Sequence, residues 1–178
     1  MYTQKQFVGT IGAIWWPKRR SHAAVCFGDG VIVTTGGELF GAANAQSDVH
    51  RTVAGSSTLA LVAPSTFTAR HSHAIARLLW NANSFLVVAG QDAASAPLND
   101  ALLTTDRGTT FAIKSTAVFT SPRSSPGLVA TGPTSFVAFG GANGATKFNE
   151  VRQSVNSGAT WTTLQCASGA ASWTPRSQ

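Results

Sequence analysis

Short apolar runs recur along this chain, and each run ends in small residues that are followed by a loop and then an acid. The runs lie at 31–33, 85–88 and 136–139. A short, continuous apolar run that is bounded by turn residues is typical of a β-strand buried on both faces. Gly, Ser, Thr and Ala are frequent between the runs, as they are in loops and hairpin turns. The pattern therefore predicts an all-β protein.

The apolar runs belong to a unit that occurs three times. Each copy opens with an Arg that is followed three residues later by His or Pro, namely Arg19 and His22, Arg70 and His73, Arg123 and Pro126. Two small residues end each run, namely Gly36 and Gly37, Ala89 and Gly90, Gly140 and Gly141. The acid of each copy follows, at Asp48, Asp100 and Glu150. These positions are expected to have structural roles that are common to the three copies.

The spacing of the copies indicates a β-propeller. The three opening arginines and a fourth, Arg176, are separated by 51, 53 and 53 residues. A period near fifty, with several short strands per unit, is typical of propeller blades. The repeat predicts blades at 19–69, 70–122 and 123–175. Residues 1–18 would form the outer strand and linker of a preceding blade, and residues 176–178 would begin a following one.

The second copy shows how one blade is built. Its predicted strands are His73–Leu79, Ser84–Ala89, Asp100–Thr104 and Thr110–Lys114, with Gly90 ending the second strand and a loop at Gln91–Pro97. Four strands that are joined by hairpin turns make one antiparallel sheet.

The turn before the last strand has a pattern of its own, Ser/Thr-x-Asp/Asn-x-Gly-x-Thr-aromatic. It is present at Asp106, Gly108 and Phe111 in the second copy and at Asn156, Gly158 and Trp161 in the third. The Asp or Asn side chain accepts backbone N–H bonds across the turn, and Gly allows the left-handed residue. We expect the aromatic ring to fill the space between neighbouring sheets. The first copy retains only a trace of the pattern, with Ala54 in place of the Asp.

These motifs resemble those of two known families. The Arg-x-x-His, Gly-Gly and Asn-Asp elements are similar to the kelch repeats of galactose-oxidase-type β-propellers, and the turn resembles the Asp-box of sialidase-like propellers. The resemblance extends from about Arg19 to Arg176 and implies four-stranded blades around an axis. The sequence departs from the pattern at Pro126, which replaces His, at Ala89, which replaces Gly, and at Ala54.

Three blades do not close a ring, because propellers typically have 4–8 blades. An open arc would expose the apolar faces of its outermost blades. We therefore expect protein partners, or further copies of this chain, to complete the propeller. The alternative is an open arc whose own ends cover its faces.

Composition and charge add a weaker alternative. The 178 residues include 13 basic and 7 acidic side chains, which give a net charge of +6. The basic residues cluster only at Lys18–Arg20, so contact with nucleic acid is possible but weakly supported. No apolar run is long enough to span a membrane. The segment Met1–Trp16 resembles a signal peptide poorly, which slightly favours an intracellular location. Cys26 and Cys166 are not expected to form a disulfide.

Few residues suggest catalysis. Glu38 and Asp92 follow the second strands of neighbouring copies and could form the two-carboxylate site of a glycosidase. His71 and His73 could share a metal ion, but His73 is a repeat position and is expected to pack in the structure. His50 has no counterpart in the other copies and is expected to be exposed. The sequence predicts no cofactor and no metal.

The sequence therefore predicts a non-catalytic propeller segment that acts as a structural or protein-interaction module in a larger assembly. A carbohydrate-binding or glycan-processing propeller is the alternative. The residues expected to contact partners lie in the loops after the second strands or are tryptophans without counterparts, namely Glu38, Asp92, Asn143, Trp15 and Trp80.

Overall fold

The computed structural model describes residues 17–39, 44–53, 58–62 and 66–164. Within these ranges every regular element is a β-strand, and the three repeats each form one four-stranded antiparallel sheet. The predicted all-β class and the four-stranded antiparallel sheets are therefore confirmed. No helix that could cross a membrane occurs among the described residues.

The strands are short, and consecutive strands within each sheet pair with each other. In chain order they are β1 (Arg19–Arg20), β2 (Ala23–Cys26), β3 (Ile32–Thr35), β4 (Glu38–Leu39), β5 (Val49–Thr52), β6 (Leu59–Leu61), β7 (Ala74–Arg77), β8 (Phe85–Gln91), β9 (Pro97–Thr104), β10 (Ala112–Ser115), β11 (Gly127–Ala130), β12 (Phe136–Phe139), β13 (Ala142–Asn143), β14 (Thr146–Lys147), β15 (Val151–Ser154) and β16 (Thr162–Thr163). The first sheet has the order β2-β3-β5-β6, the second β7-β8-β9-β10 and the third β11-β12-β15-β16. Two small ladders, β1-β4 and β13-β14, lie beside them.

The second sheet is longer than the sequence predicts. Gly90 was expected to end β8, but the ladder continues and pairs Gly90 with Leu98 and Gln91 with Pro97. A register shift between Val88 and Gly90 sets two residues of β9, Asn99 and Asp100, opposite the single residue Ala89. A bulge of this kind bends the strand without ending it.

The second repeat also has a longer first hairpin. Seven residues, 78–84, separate β7 from β8, whereas five residues, 131–135, separate β11 from β12. The added length explains why the Arg-to-Gly spacing is larger in the second copy. It places Leu79 and Trp80 in the hairpin, where they are 53% and 79% exposed.

Two hydrophobic cores lie between consecutive sheets. The first core joins Val33 and Val49 of the first sheet to Phe85 and Val87 of the second. The second joins the opposite face of the second sheet to the third sheet, with members that include Leu86, Val88, Phe136, Ala138 and Trp161. Residues 85–88 are therefore fully buried, as expected for a strand between two apolar layers.

We call the face of each sheet that is turned toward the preceding sheet in the chain its leading face, and the opposite face its trailing face. Alternation along the middle strands assigns the residues. The leading faces contain Ile32 and Thr34, Phe85 and Val87, Phe136 and Ala138; the trailing faces contain Val33 and Thr35, Leu86 and Val88, Val137 and Phe139.

The aromatic residue after the turn packs toward the preceding sheet, as the sequence predicts. Trp161 is 8% exposed, belongs to the core between the second and third sheets, and donates from Nε1 to the Gly158 carbonyl (3.0 Å). Phe111 packs against the first core in the same way. A Cβ at Gly158 would lie 2.8 Å from Leu86 Cδ1, so the turn itself touches the preceding sheet.

Truncation of Trp161 tests this packing. We expect Trp161→Ala to lower the free energy of unfolding by about 3–5 kcal/mol, because it leaves a cavity between two sheets. Trp161→Phe should cost much less, since the second repeat has Phe111 at this position. Urea unfolding at neutral pH measures both, and Thr162→Ala, an exposed neighbour, is the control. Equal losses for the Ala and Phe variants would show that the ring does not fill this space.

Candidate functional site at the junctions between the sheets

The opening arginine of each repeat binds the acid of the same repeat. Arg70 forms a two-pronged pair with Asp100, with Nη1–Oδ1 and Nη2–Oδ2 distances of 2.7 and 2.8 Å. Arg19 pairs with Asp48 in the same manner, and Arg123 Nη2 lies 2.6 Å from Glu150 Oε2. The side chains of all three arginines are 0% exposed. A buried guanidinium requires such a partner, because an unpaired charge in the interior is costly.

Each guanidinium also binds the carbonyl of the first small residue. Arg19, Arg70 and Arg123 donate from Nη1 to Gly36, Ala89 and Gly140 at 2.9, 3.1 and 3.1 Å. These three residues have left-handed φ angles of 56°, 56° and 67°. Glycine adopts this conformation without strain, whereas Ala89 costs about 1 kcal/mol. The small residues of the repeat are thus required by the turn that presents this carbonyl.

The main chain of the opening arginine bonds to the preceding sheet. Gly37 N–H donates to the Arg70 carbonyl (2.9 Å), and Gly90 N–H donates to the Arg123 carbonyl (3.1 Å). In return, Arg70 N–H donates to the Gln46 carbonyl (3.2 Å) and Arg123 N–H to the Leu98 carbonyl (3.0 Å). Each opening arginine therefore binds its own sheet through its side chain and, where a preceding sheet is described, that sheet through its backbone.

A row of serines crosses the same junctions. Ser72 N–H donates to the Ser21 carbonyl (2.9 Å), and Ser125 N–H donates to the Ser72 carbonyl (2.7 Å). All three serines have left-handed φ angles, of 55°, 51° and 52°. The two junctions therefore have the same set of backbone bonds.

The repeat histidine differs among the three copies. His73 is buried, and its Nε2 lies 2.8 Å from Thr35 Oγ1 of the first sheet. Its counterpart Pro126 is also buried, and the residue at the Thr35 position of the second sheet is the apolar Val88. His22, with no described sheet before it, is exposed. The two junctions therefore differ at this position. The first has a hydrogen-bonded polar pair, and the second has two apolar residues.

Burial keeps His73 neutral. Loss of solvation, with smaller effects from Arg70 and the nearby histidines, lowers its pKa to about 3. Protonation would make both ring nitrogens donors, and Nδ1 has no acceptor among the described residues. The charged form is therefore disfavoured at the junction.

Two of the three residues in the basic cluster at Lys18–Arg20 are paired with acids. Arg19 is the buried partner of Asp48, and Arg20 Nε donates to Glu38 Oε2 (2.8 Å). That hydrogen bond lowers the pKa of Glu38. The general acid of a glycosidase needs a raised pKa, which this pairing with Arg20 does not give to Glu38.

The other residues expected to contact partners occupy different positions of the repeat and differ in exposure. Asp92 Oδ1 accepts N–H bonds from Ala94 and Ala96 and so closes its own loop. Asn143 is exposed in β13, and Trp80 is exposed in the β7–β8 hairpin. Trp15 lies outside the described residues.

The exposure that the sequence predicts for His50 is wrong. His50 was expected to be exposed, but it is 4% exposed, because it lies on the middle strand β5 beside Thr34. Cys26 is a free, exposed thiol, and Cys166 lies outside the described residues. Among the described residues, no group of three or more His, Cys, Asp and Glu could hold a metal ion.

Sequence reasoning missed two junction residues. Thr35 is not repeated, so nothing in the pattern marked it as the partner of His73. Asn99 accepts from Phe119 N–H (2.8 Å) and donates to the Phe119 carbonyl (2.9 Å), which ties β9 to the segment that enters the third repeat. The Ser or Asn before each acid was the only signal for this role.

No protein-family model matches this chain, and no curated protein matches it. Its functional interpretation therefore depends on the geometry of the junctions.

Loss of one carboxylate tests the buried pair. We expect Asp100→Ala to lower the free energy of unfolding by about 3 kcal/mol or more, because Arg70 remains buried without its partner. Asp92→Ala, which removes only loop hydrogen bonds, should cost about 1 kcal/mol. Chemical denaturation followed by tryptophan fluorescence compares the two. Similar small losses would mean that the pair is not essential to the junction.

Acid should weaken the junction through His73. The unfolded chain takes up a proton near pH 6.5, whereas the folded protein takes it up only near the lowered pKa of about 3. The free energy of unfolding should therefore fall by up to about 1.4 kcal/mol per pH unit between these values from this group alone. His73→Gln should flatten the profile of stability against pH more than His22→Gln, its exposed counterpart. Parallel profiles for wild type and His73→Gln would contradict this account.

Proposed function

We propose that this protein is a non-catalytic structural and protein-interaction module, whose three sheets are blades of a β-propeller that other chains complete. The observation that carries the proposal is the junction that occurs twice with the same backbone bonds. The kelch-like and Asp-box-like motifs belong to this interpretation, because they supply the arginine, the small residues and the turn at each junction.

The repeated junction supports a ring. A contact between two different surfaces, repeated by one operation, generates either a closed ring or an open filament. Twisted four-stranded sheets that pack face to face around an axis close at 4–8 blades. Three sheets therefore supply part of the circle.

The last trailing face supports completion by another protein. In the second sheet, Leu86 and Val88 on the trailing face are fully buried by the third sheet. The corresponding face of the third sheet contains Val129, Val137 and Val151, and Val129 is 46% exposed. Exposed apolar surface that continues a packed interface is typical of protein-contact sites.

The charges at the junctions favour a structural role. Arg70 and Arg123 are fully buried and paired, so they are not available to bind a substrate. His73 is held neutral in a hydrogen bond between sheets. These titratable groups join strands to each other and sheets to each other, which is the chemistry of a scaffold.

A series of lengthened chains tests the propeller. Extra copies of residues 70–122, inserted in tandem after residue 122, should each add one blade through the same junction. Stability should rise gradually with copy number and then increase sharply at the copy number that closes the ring, because closure adds a junction without adding a blade. Thermal unfolding measured by circular dichroism gives the Tm of each chain.

The control is the same series with Gly90→Val in each inserted copy. A Cβ at this position would lie 2.7 Å from the His71 carbonyl of the same repeat, so Gly90 must move, and the N–H that it donates to the Arg123 carbonyl across the junction moves with it. The proposal predicts no sharp increase in Tm for this series. A Tm that rises smoothly in the unmodified series through eight blades would indicate an open stack of sheets and would refute the propeller.

A further inference from the structure

We infer that Asn143 is a site of spontaneous covalent modification, at which the side-chain amide is lost as ammonia and a carboxylate replaces it. The reaction consumes water and needs no enzyme. The inference goes beyond the proposed function and does not rest on it, because it depends only on the hairpin that β13 and β14 form.

The reaction begins at the backbone nitrogen of the residue that follows the asparagine. This nitrogen loses its proton and attacks the side-chain carbonyl carbon, so that a new C–N bond forms, ammonia leaves and a five-membered imide ring results. Water then opens the ring at either carbonyl, which gives aspartate or isoaspartate. Neither an oxidant nor a reductant takes part, and one water is consumed for each ammonia released.

The attack is fastest where the following residue has no side chain to obstruct it. Asn143 is followed by Gly144, and it is the only asparagine of the chain that has glycine as its successor. Gly144 has a left-handed φ of 56°, and a Cβ built on it would meet no atom within 4 Å. The attacking nitrogen is therefore unobstructed and belongs to a residue of high conformational freedom.

The two reacting groups are also free of hydrogen bonds. Asn143 is exposed, and its side-chain amide has no partner among the described residues. The Gly144 N–H donates to no acceptor in this part of the chain either. Ala145 and both residues of β14 are exposed as well, so water can reach the ring and open it.

The hairpin can open far enough for the ring to close. The extended backbone of β13 must rotate at Asn143 to bring the Gly144 nitrogen onto the side chain. Ala142 is held by a bridge to Ser124, whereas Asn143 pairs only with Thr146. A two-stranded ladder of this size is marginally stable at best, so its local opening costs little free energy.

The fold protects two other asparagines that have a small successor. Asn156, before Ser157, accepts at Oδ1 from the Thr160 N–H and donates from Nδ2 to Thr160 Oγ1, both at 2.9 Å. Asn83, before Ser84, accepts at Oδ1 from Arg107 Nε (2.7 Å). These hydrogen bonds hold the amide away from the following nitrogen, and Asn143 has no equivalent of them.

The two products should affect the hairpin differently. Aspartate removes one unit from the net charge of +6, and Asp92 already occupies the corresponding position two residues after Gly90, so the fold accepts it. Isoaspartate routes the main chain through the side chain and adds one carbon to it, which the register between Asn143 and Thr146 does not accommodate. Either product places a carboxylate on a residue that the sequence predicts to contact partners.

Timed incubation followed by peptide mapping tests the inference. The folded protein is kept in mildly alkaline buffer, and mass spectrometry of digested samples follows the loss of the amide at Asn143 and at Asn156 together. We expect Asn143 to react faster and to give both aspartate and isoaspartate. The reaction should slow as the pH is lowered, because the attacking nitrogen must lose its proton.

Unfolding in concentrated urea separates the effect of the fold from that of the sequence. Urea releases Asn156 from Thr160, so its rate should rise, whereas the rate at Asn143 should change little. We therefore expect the ratio of the two rates to be at least ten-fold larger in the folded protein than in urea. Asn143→Gln is the matched control, since its longer side chain must close a six-membered ring, which forms much more slowly. Ion-exchange chromatography should resolve a more acidic form that accumulates in wild type and not in this variant.

Three results would overturn the inference. These are an Asn143 amide that outlasts the Asn156 amide in the folded protein, a ratio of rates that urea leaves unchanged, and an acidic form that accumulates equally in Asn143→Gln.

Discussion

The buried opening arginine is the interaction on which the rest of the structure depends. Its side chain joins separate parts of its own repeat: Arg70 lies four residues before β7 and binds both the Asp100 carboxylate and the Ala89 carbonyl. Its backbone joins the preceding sheet through Gly37 and Gln46. The same residue thus fixes the shape of one sheet and the position of that sheet against its neighbour.

The other repeated features follow from this constraint. The carbonyl that the arginine binds must point inward, and this requires the left-handed residues at Gly36, Ala89 and Gly140. The next glycine packs closely against its own repeat, because a Cβ at Gly90 would lie 2.7 Å from the His71 carbonyl, and from this position its N–H donates to the Arg123 carbonyl of the following repeat. The aromatic residue after the turn then fills the space that remains between the sheets.

The sequence was sufficient to predict the repeat, the all-β class and four strands per unit, because these depend on local periodicity and turn chemistry. It did not predict which residues would pair. The burial of Arg19 depends on Asp48, 29 residues later, whereas its immediate neighbours suggested an exposed basic cluster. The hydrogen bond between His73 and Thr35 joins two sheets, and the residues that correspond to Thr35 in the other repeats are apolar.

Amide hydrogen exchange at three equivalent glycines tests the central claim, which is that one junction is repeated, together with our proposal that another chain completes its third instance. Gly37 and Gly90 donate across the two internal junctions, so their amides should exchange slowly at every protein concentration. Gly141 should exchange fast in dilute solution and slowly once the chain has associated. A Gly141 amide that is as protected as Gly90 in the dilute monomer, or a Gly37 amide that exchanges freely, would contradict the account.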